Sequence, residues 1–557
     1  MQIAITGIGI ISSLGVGKMA NQKQLLEGVS HIHPAKILPT IHDEWPIGEI
    51  SLTNAELCEM IPIVNREQVA TYQLSRNALV GAVALQEALK DACLSTQQCK
   101  SMTLVNGTTV GGMDTTEELY PVWKHGVYDT LNNICVHRAN ENTRILAKLC
   151  NVEHFITIST ACSSALNAII TGAMMLRNGD CQSVVVGGVD SMTRVHLNGF
   201  GSLGILSHQL CRPFAEDRDG INLGEGAAYI VLEDADSARQ RGVKIYGYVG
   251  GYANKCDAYH ATASSPEGCG AYEAMLEALC MTGLKPQSIP YLNAHGTATI
   301  NNDDSEMCAI ERLFGENIPR VESTKSLTGH TTSASGSIEM FFTFVRMQQC
   351  GYHYAMTNAF GFGGNDSSLV VCDAMSGCHL SSLTKQTIKE FPVMTYSKDQ
   401  ESVFMLSMQT RRLTHVMRQV VIAARAALNV AKVEVPDAIV VGTQWGSMVQ
   451  SFALLNQMHD LNEKNMSPSL FMNAANNALA GIIARLFLCR GYNVTIMGTD
   501  DCWTPAFEHA KLLLQQGTIR NVLVCAFDEV ADGWQELLQM AKCPAFNVAK
   551  AQLLCID

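Results

Sequence analysis

The sequence predicts an α/β protein whose sheets are covered by helices. Short Val- and Ile-rich runs that end in Gly or Asp, as at residues 183–190, 227–233 and 367–373, read as buried strands. Between them lie stretches such as residues 75–92 and 164–177, where apolar residues recur at the helical spacing. This alternation is typical of strand–helix–strand units in which each helix packs on a sheet.

Composition sets the size and general class of the protein. At roughly 150 residues per domain, 557 residues suggest three to four structural units. Hydrophobic residues make up 47% and charged residues 16%, which allows large cores and excludes a disordered scaffold. The net charge of −13 disfavours nonspecific binding to nucleic acid or anionic membrane. We find no apolar run long enough to span a bilayer, and the first 15 residues resemble a core strand rather than a signal peptide.

The cysteine pattern argues against both a disulfide framework and a zinc site. The closest of the 20 cysteines are six residues apart, as in Cys93/Cys99 and Cys372/Cys378, and no C-x-x-C occurs. Many lie in apolar runs, such as Cys525, where cysteine behaves as a small hydrophobic residue. We therefore expect a reducing cytoplasmic location, mostly inert cysteines, and neither a metal nor an organic cofactor.

An internal repeat predicts the domain organisation. Residues 155–190 align without gaps to residues 493–528 with eight identities, among them Asp190/Asp528. A polar, Ser/Thr-rich stretch separates the two copies. We predict a first unit over residues 1–373, a linker over 374–389 and a partial second copy over 390–557. The second copy should dock on the first, because apolar segments such as residues 480–488 exceed what half a fold buries.

Cys162 is the candidate nucleophile. It lies in TISTACSSALNAI (residues 157–169), which predicts a strand, a turn of small residues and then a helix. The positive end of a helix dipole favours a thiolate, and small neighbours leave room for a substrate carbonyl. A buried structural cysteine is the alternative that this segment leaves open.

Two histidines and a glycine-rich loop supply further candidates. A strand delivers His295 into a Gly/Thr turn in residues 291–306, and Lys325 and His330 precede a small-residue helix in residues 323–339. The loop NAFGFGGND, residues 358–366, can lie close to a ligand and offer backbone N–H groups. Each motif has a structural alternative, namely a hydrogen-bonded histidine or a tight turn.

Together these segments resemble the β-ketoacyl-acyl-carrier-protein synthases of the thiolase superfamily. The matching motifs follow the family order and are TACSS at 160–164, RPFAEDRDGINLGEGAA at 212–228, NAHGTAT at 293–299, STKSLTGH at 323–330 and FGFGG at 360–364. The resemblance implies a thiolase-like five-layer αβαβα domain over residues 1–373. It further implies a half-thiolase-like α/β domain over residues 390–557.

The resemblance also implies a reaction and its residues. The reaction is decarboxylative Claisen condensation of an acyl-enzyme with a malonyl-carrier thioester in fatty-acid or polyketide/polyene-type synthesis, which makes the protein an acyltransferase. Cys162 would be acylated, His295 and His330 would act on the malonyl group, and Lys325 and Glu339 would support them. Such chemistry needs a thiol nucleophile and donors aimed at two developing oxyanions.

Backbone and tunnel positions carry over in the same way. The N–H groups of Cys162 and Phe362 match the acyl oxyanion site, with Gly363 beside them in the substrate-binding loop. Val110, in residues 107–112, matches a position that faces the acyl tunnel, so we expect it to permit medium or long acyl chains. An ordinary core role for Val110 is the alternative.

Departures from the family pattern mark open points. Asn365 and Asp366 follow the glycine loop where the family usually has Thr-Asn. In residues 65–72, Val69 and Ala70 stand where the family often carries basic residues for the acidic carrier protein, which leaves Arg66. Arg212 is a second candidate carrier contact. Residues 132–155 diverge as well, which puts the dimer surface in doubt.

The second copy lacks the site. Its alignment sets Asp500 opposite Cys162, with Cys502 two residues later, and it has no counterparts of the two histidine segments. We therefore expect a noncatalytic copy that resembles a chain-length factor.

The expected partners are acyl carrier protein and acyl and malonyl thioesters, in a homodimer or a ketosynthase-type heterodimer. The sequence leaves three alternatives. A thiolase would carry a second cysteine in the loop at 360–366, which is absent. A noncatalytic scaffold conflicts with the intact set around Cys162. Dinucleotide binding at Gly7 and Gly9 lacks the third glycine.

Overall fold

The computed structural model describes residues 1–67, 74–397, 413–543 and 545–556. Its strands are β1 Ile3–Ser12, β2 Gly15–Val16, β3 Thr103–Gly107, β4 His154–Ile158, β5 Ser183–Asp190, β6 Gly226–Asp234, β7 Gly247–Cys256, β8 Tyr291–Asn293, β9 Arg320–Glu322, β10 Tyr354–Gly361, β11 Asn365–Asp373, β12 Ile388–Glu390, β13 Met394–Thr395, β14 Ala438–Thr443, β15 Tyr492–Met497, β16 Asn521–Asp528 and β17 Val548–Ile556.

Its α-helices are α1 Gly17–Glu27, α2 Asn54–Glu59, α3 Ile63–Arg66, α4 Arg76–Asp91, α5 Thr96–Ser101, α6 Met113–Lys124, α7 Ala139–Leu149, α8 Ser164–Asn178, α9 Arg194–Ser202, α10 Ala235–Arg241, α11 Cys269–Thr282, α12 Ile300–Phe314, α13 Lys325–Thr328, α14 Ser335–Cys350, α15 His415–Ala431, α16 Met448–Asp460, α17 Pro468–Ala474, α18 Ala478–Phe487, α19 Trp503–Gln515 and α20 Gln535–Met540. Within the described ranges, no helix is long and apolar enough to cross a membrane.

The first unit has two mixed sheets with helices between and outside them. One sheet runs β4-β3-β5-β6-β1 and the other β7-β11-β10-β8-β9, joined by a short β1–β7 pairing. Helices α8 and α14 fill the space between the sheets, α4 and α7 cover the first sheet, and α11 and α12 cover the second. These five layers confirm the expected fold class.

Strand periodicity explains how one sheet serves two cores. In β5, Val184 and Val186 pack into the central core with α8, whereas Val185 packs into the outer core with α4. Successive side chains of a strand point to opposite faces, so a continuous Val run is what a doubly covered strand requires. The sequence pattern at residues 183–190 therefore reports a strand buried on both faces.

The second unit repeats the first of the two sheets of the first unit. Its strands run β15-β14-β16-β17, with β12 and β13 beside β17, which is the order of β4-β3-β5-β6-β1. Helices α15 and α18 cover its outer face, and α19 lies on the inner face in the place of α8. The described residues from 413 onward form no second sheet of the β7–β11 kind. Strand β12 begins at Ile388, two residues before the boundary that we expected.

The two units join edge to edge, which confirms that the second copy docks on the first. Strands β4 and β15 pair antiparallel, with Ile158 opposite Ile496 and Thr157 opposite Met497. Ile158 and Ile496 are counterparts in the repeat, so the pairing follows a local twofold axis, as at the interface of a symmetric dimer. One chain therefore builds an arrangement that normally needs two subunits.

The expectation that cysteine spacing excludes disulfides is wrong for two pairs. Cys135 bonds to Cys543, 408 residues away, and Cys372 bonds to Cys378. Spacing cannot reveal the first pair, because only the docking of the second unit on the first brings its sulfurs together. Among the described cysteines, 16 are free.

Candidate active site

Cys162 lies in a tight turn between β4 and α8. Ala161 has a left-handed φ of +54°, and the N–H of Thr160 donates to Ser164 Oγ at 2.8 Å, which closes the turn. The thiol is buried and precedes the first residue of α8 by two positions. This placement agrees with the strand, turn and helix that the sequence predicts.

His330 contacts the thiol directly. Its Nε2 lies 2.9 Å from Cys162 Sγ, and its Nδ1 lies 2.9 Å from Ser335 Oγ. Burial raises the pKa of Cys162 to about 12, against the opposing charge of Lys325. Burial and then the charge of Lys325 hold the pKa of His330 well below its ordinary value, so the imidazole is neutral.

These pKa directions correct our expectation for the thiol. The position at the helix start does not yield a thiolate, because burial raises the pKa of the thiol more than the charge of Lys325 lowers it. A neutral imidazole within hydrogen-bond distance can instead accept the thiol proton as the nucleophile attacks. The pair therefore resembles a cysteine–histidine dyad rather than a free thiolate.

The structure brings His295, Lys325 and Glu339 to the same place. The His295 and His330 rings lie 5.3 Å apart, and Lys325 Nζ lies 3.5 Å from His295 Nδ1. Lys325 Nζ also donates to the His295 carbonyl oxygen and to Glu339 Oε1, both at 2.5 Å. Burial, and to a lesser extent the charges of Lys325 and His330, hold the pKa of His295 well below its ordinary value. Burial raises the pKa of Glu339 to about 7, against the charge of Lys325.

Sequence reasoning missed two carboxylates that shape the site. Glu306 accepts hydrogen bonds from the N–H groups of His295 and Gly296 at 2.9 and 2.8 Å, which holds the turn that presents His295. Asp190 accepts from the N–H of Val110 at 3.1 Å and from Thr332 Oγ1 at 2.7 Å. The signals were present, since Glu306 ends the histidine segment and Asp190 is one of the repeat identities.

Asp528 shows that the two copies share structure as well as sequence. It accepts from Thr443 Oγ1 and from the N–H of Trp445, both at 2.8 Å, as Asp190 accepts from Thr108 and Val110. Trp445 therefore occupies in the second unit the position of Val110.

The glycine-rich loop passes directly against the nucleophile turn. A side chain at Gly361 would meet the Thr160 carbonyl oxygen at 2.6 Å, so only glycine fits there. The N–H of Gly363 donates to the Ala261 carbonyl oxygen at 2.7 Å and is already used. From the second unit, Asn477 Nδ2 donates to the Phe362 carbonyl oxygen at 2.8 Å, so both units hold this loop.

The two departures after the loop have separate roles. Asn365 Oδ1 accepts from Ser163 Oγ at 2.7 Å and from Asn167 Nδ2 at 2.8 Å, while its Nδ2 donates to the Asn493 carbonyl oxygen at 2.5 Å. Asn365 thus connects the start of α8 to the second unit. Asp366 is buried beside Asp257, and burial, with the charge of that neighbour, raises the pKa of Asp366 well above its ordinary value.

Cys162 lies where two cavities meet. One, of about 380 Å³, also contains His295 and His330. The other, of about 110 Å³, has walls from both units, including Phe200 of the first and Leu454 of the second. Cys162 and Phe362 line both. The site therefore offers separate space on each side of the sulfur, as two thioester substrates require.

Val110 is buried behind the smaller cavity. It is 2% exposed, and Thr109 and Met113 are the side chains of this turn and the following helix that line the cavity. A role for Val110 in acyl length stays a prediction.

The candidate carrier contacts are only partly described. Arg66 Nη1 donates to Cys58 Sγ at 3.3 Å, and Arg212 forms an exposed ion pair of 2.7 Å with Asp217. Val69 and Ala70 lie outside the described residues.

The second unit places no equivalent set around its aligned positions. Asp500 is exposed, and Cys502 is buried at the start of α19, where burial raises its thiol pKa far above the ordinary value. Within the described part of the chain, no cluster of three or more His, Cys, Asp or Glu residues is arranged to hold a metal ion.

Comparison with known proteins identifies the class that this fold and site define. The model of the β-ketoacyl synthase N-terminal domain matches residues 1–238, and that of the C-terminal domain matches residues 246–353. A second N-terminal-domain model of the same family matches residues 386–554. These matches confirm one synthase unit followed by a partial copy.

A curated relative establishes the membership. The chain is 30% identical over 412 residues to 3-oxoacyl-[acyl-carrier-protein] synthase 2 of Staphylococcus aureus (strain MRSA252), which covers 66% of this chain and 98% of that protein. The chain belongs to the β-ketoacyl synthase family. The expected acyltransferase activity, Claisen condensation of thioesters, is confirmed by this membership.

Solved structures share the fold. The ishigamide ketosynthase/chain length factor matches with a TM-score of 0.61 and 26% identity over 67% of this chain and 99% of that one. The PfaC keto synthase–chain length factor matches with a TM-score of 0.81 and 16% identity over 100% of this chain and 78% of that one. The second match shows that the fold of the whole chain, with both units, recurs elsewhere.

Proposed function

We propose that residues 1–373 condense an acyl group held on Cys162 with a malonyl-carrier thioester, and that residues 390–557 support this reaction without catalysing it. The observation that carries the proposal is the contact of 2.9 Å between Cys162 Sγ and His330 Nε2 at the junction of two cavities. The proposed units are linked by residues 374–389.

In the first half-reaction, Cys162 Sγ attacks the carbonyl carbon of an acyl thioester. Neutral His330 takes the thiol proton, and its Nδ1–H donates to Ser335 Oγ, which orients the ring. The N–H groups of Cys162 and Phe362 stabilise the oxyanion. The carrier thiolate leaves with the proton from His330, and the acyl chain stays on Cys162.

In the second half-reaction, the malonyl thioester occupies the larger cavity. Lys325 beside Nδ1 of His295 favours the tautomer with hydrogen on Nε2, which can donate to the thioester oxygen. The C–C bond to the malonyl carboxylate breaks, carbon dioxide leaves, and the enolate carbon attacks the acyl carbon. Cys162 leaves as a thiolate and takes a proton from water, which restores the thiol. The ion pair between Lys325 and Glu339 keeps Lys325 beside His295 throughout.

The second unit takes the place of a partner subunit in this proposal. It pairs with the β4 edge and adds Leu454 and Phe471 to the cavity wall, as a chain-length factor would. The chain then needs no second copy at this edge. A monomer in light scattering supports this assignment, whereas a dimer that dissociates after mutation of β4 contradicts it.

The proposed partner is an acyl carrier protein, and the proposed pathway is fatty-acid or polyketide-type synthesis. A cytoplasmic location stays a prediction.

The direct test follows product formation by mass spectrometry. The full chain is incubated with acyl- and malonyl-carrier proteins, and the 3-oxoacyl product is measured for wild type, Cys162→Ala and Cys162→Gln. We expect no condensation by either variant, and retained malonyl decarboxylation by Cys162→Gln, whose side chain resembles an acylated cysteine. Condensation by Cys162→Ala would refute the proposal.

A further inference from the structure

The smaller cavity carries one formally charged residue, contributed by the second unit. Arg485 of α18 lines this cavity, and none of its described lining residues is an Asp or Glu. Among the described lining residues, His196 is the other one that can become cationic, and burial keeps it neutral by lowering its pKa. The wall that the second unit contributes to this cavity is therefore positive.

The guanidinium group of Arg485 has no bonding partner within the described part of the chain. Its head forms no ion pair, hydrogen bond or ring contact with any described residue. The side chain is half-buried, and this burial lowers the pKa of Arg485. A half-buried guanidinium normally has an anionic partner, because desolvation of a charge is costly without one.

Packing fixes the helix that presents Arg485. Gly481, one turn earlier on α18, lies so close to the glycine-rich loop that a side chain there would meet the Gly363 carbonyl oxygen at 2.8 Å. Asn477, two turns earlier, donates to the Phe362 carbonyl oxygen at 2.8 Å. Arg485 therefore stands on a helix held firmly against the loop beside Cys162. Positions spaced three to four apart share one helix face, so Arg485 lies on the same side of α18 as Gly481.

We infer that Arg485 is a binding residue for an anionic group, a phosphate or a carboxylate, on the thioester that acylates Cys162. A guanidinium recognises both groups through paired N–H donors. Two sources present this chemistry, namely the phosphate of a phosphopantetheine arm and a carboxylate on the far end of the acyl chain. The inference rests on the proposed acylation of Cys162 and adds to it a residue from the supposedly accessory unit.

Four thioesters of pantetheine distinguish the sources. Hexanoyl-pantetheine is compared with hexanoyl-phosphopantetheine, and separately with the adipoyl thioester of pantetheine, which adds a terminal carboxylate. The acylation rate of Cys162 is measured by intact-protein mass spectrometry at increasing thioester concentration. The fourth compound, adipoyl-phosphopantetheine, tests whether both anions compete for one site.

We expect wild type to reach half-maximal acylation at roughly tenfold lower concentration of one anionic thioester than of its neutral partner, as for a partly exposed charged hydrogen bond. Arg485→Gln should abolish that advantage without slowing the neutral thioester, and Arg485→Lys should keep part of it. The control Arg425→Gln removes a cation that stacks on Phe487, outside the cavity lining, and should keep all of it. High salt should weaken the advantage in wild type.

The outcomes separate the two claims. Discrimination of the phosphate pair assigns the pantetheine arm, and discrimination of the carboxylate pair assigns the acyl end. Equal discrimination in wild type and Arg485→Gln, or none in wild type, overturns the inference while leaving acylation intact. If no thioester acylates Cys162 in wild type, the proposed function fails and the inference fails with it.

Discussion

Replacement of His330 by alanine tests the reasoning about the buried thiol most directly. Burial raises the pKa of Cys162 to about 12, so about one thiol in 10⁴ is ionised at pH 8 without a base. In the proposed mechanism, neutral His330, 2.9 Å from the sulfur, removes the proton during attack, and such general-base catalysis contributes roughly 10²–10⁴ in rate. We expect His330→Ala to lose acylation by about that factor.

The pH profile separates loss of a base from general damage. Burial holds the pKa of His330 well below its ordinary value, so wild type keeps a neutral base and a flat acylation rate between pH 7 and pH 10. In His330→Ala the rate should rise about tenfold per pH unit over this range, following the thiolate fraction. The control His295→Ala removes a second imidazole, whose ring centroid lies 5.3 Å from that of His330. It should slow decarboxylation but keep the acylation rate independent of pH.

Acylation by a short acyl-pantetheine, followed by intact-protein mass spectrometry, provides both measurements. If His330→Ala kept a flat profile at near-wild-type rate, the thiol would ionise without this base, and our account of its pKa would be wrong.

Three further predictions address the second unit and the loop. Phe452→Ala removes a ring that is 2% exposed and whose centroid lies 5.2 Å from that of Tyr120. Urea denaturation should show that the free energy of unfolding falls by roughly 3–5 kcal/mol. The control Phe546→Ala, at a residue that is 59% exposed, should change this free energy little. Burial raises the pKa of Asp366, so the folded chain keeps a proton that the unfolded chain releases above pH 4. The free energy of unfolding of the wild type should therefore fall as pH rises, by at most ~1.4 kcal/mol per pH unit. Asp366→Asn should flatten that slope between pH 5 and pH 8, and an unchanged slope would contradict the assignment. Cys502→Ala should leave acylation of Cys162 unchanged in the mass-spectrometric assay, because burial raises the pKa of the Cys502 thiol far above its ordinary value and the neighbouring charge of Asp528 raises it further. Loss of labelling would relocate the nucleophile.

Local sequence determined the elements and most of the site. The Val run of β5 is readable because a strand buried on both faces must be apolar at every position. Cys162, His295, Lys325 and His330 are readable because each stands in a short motif whose turn residues recur in one order. The repeat can be detected in the sequence because both copies need an aspartate at the same place. Asp190 and Asp528 accept equivalent backbone hydrogen bonds, from Val110 and Trp445.

Only the tertiary structure decided what depends on burial and on distant partners. The sequence predicts a thiolate at Cys162 from the helix start, but burial raises the pKa of the thiol, and only the packed chain places His330 Nε2 2.9 Å from the sulfur. The Cys135–Cys543 bond joins residues 408 apart, which no spacing rule reaches. Arg485 enters the cavity only because β15 pairs with β4 and carries its unit against the glycine loop. Motifs encode local conformation, whereas desolvation and long-range contacts depend on how the whole chain packs.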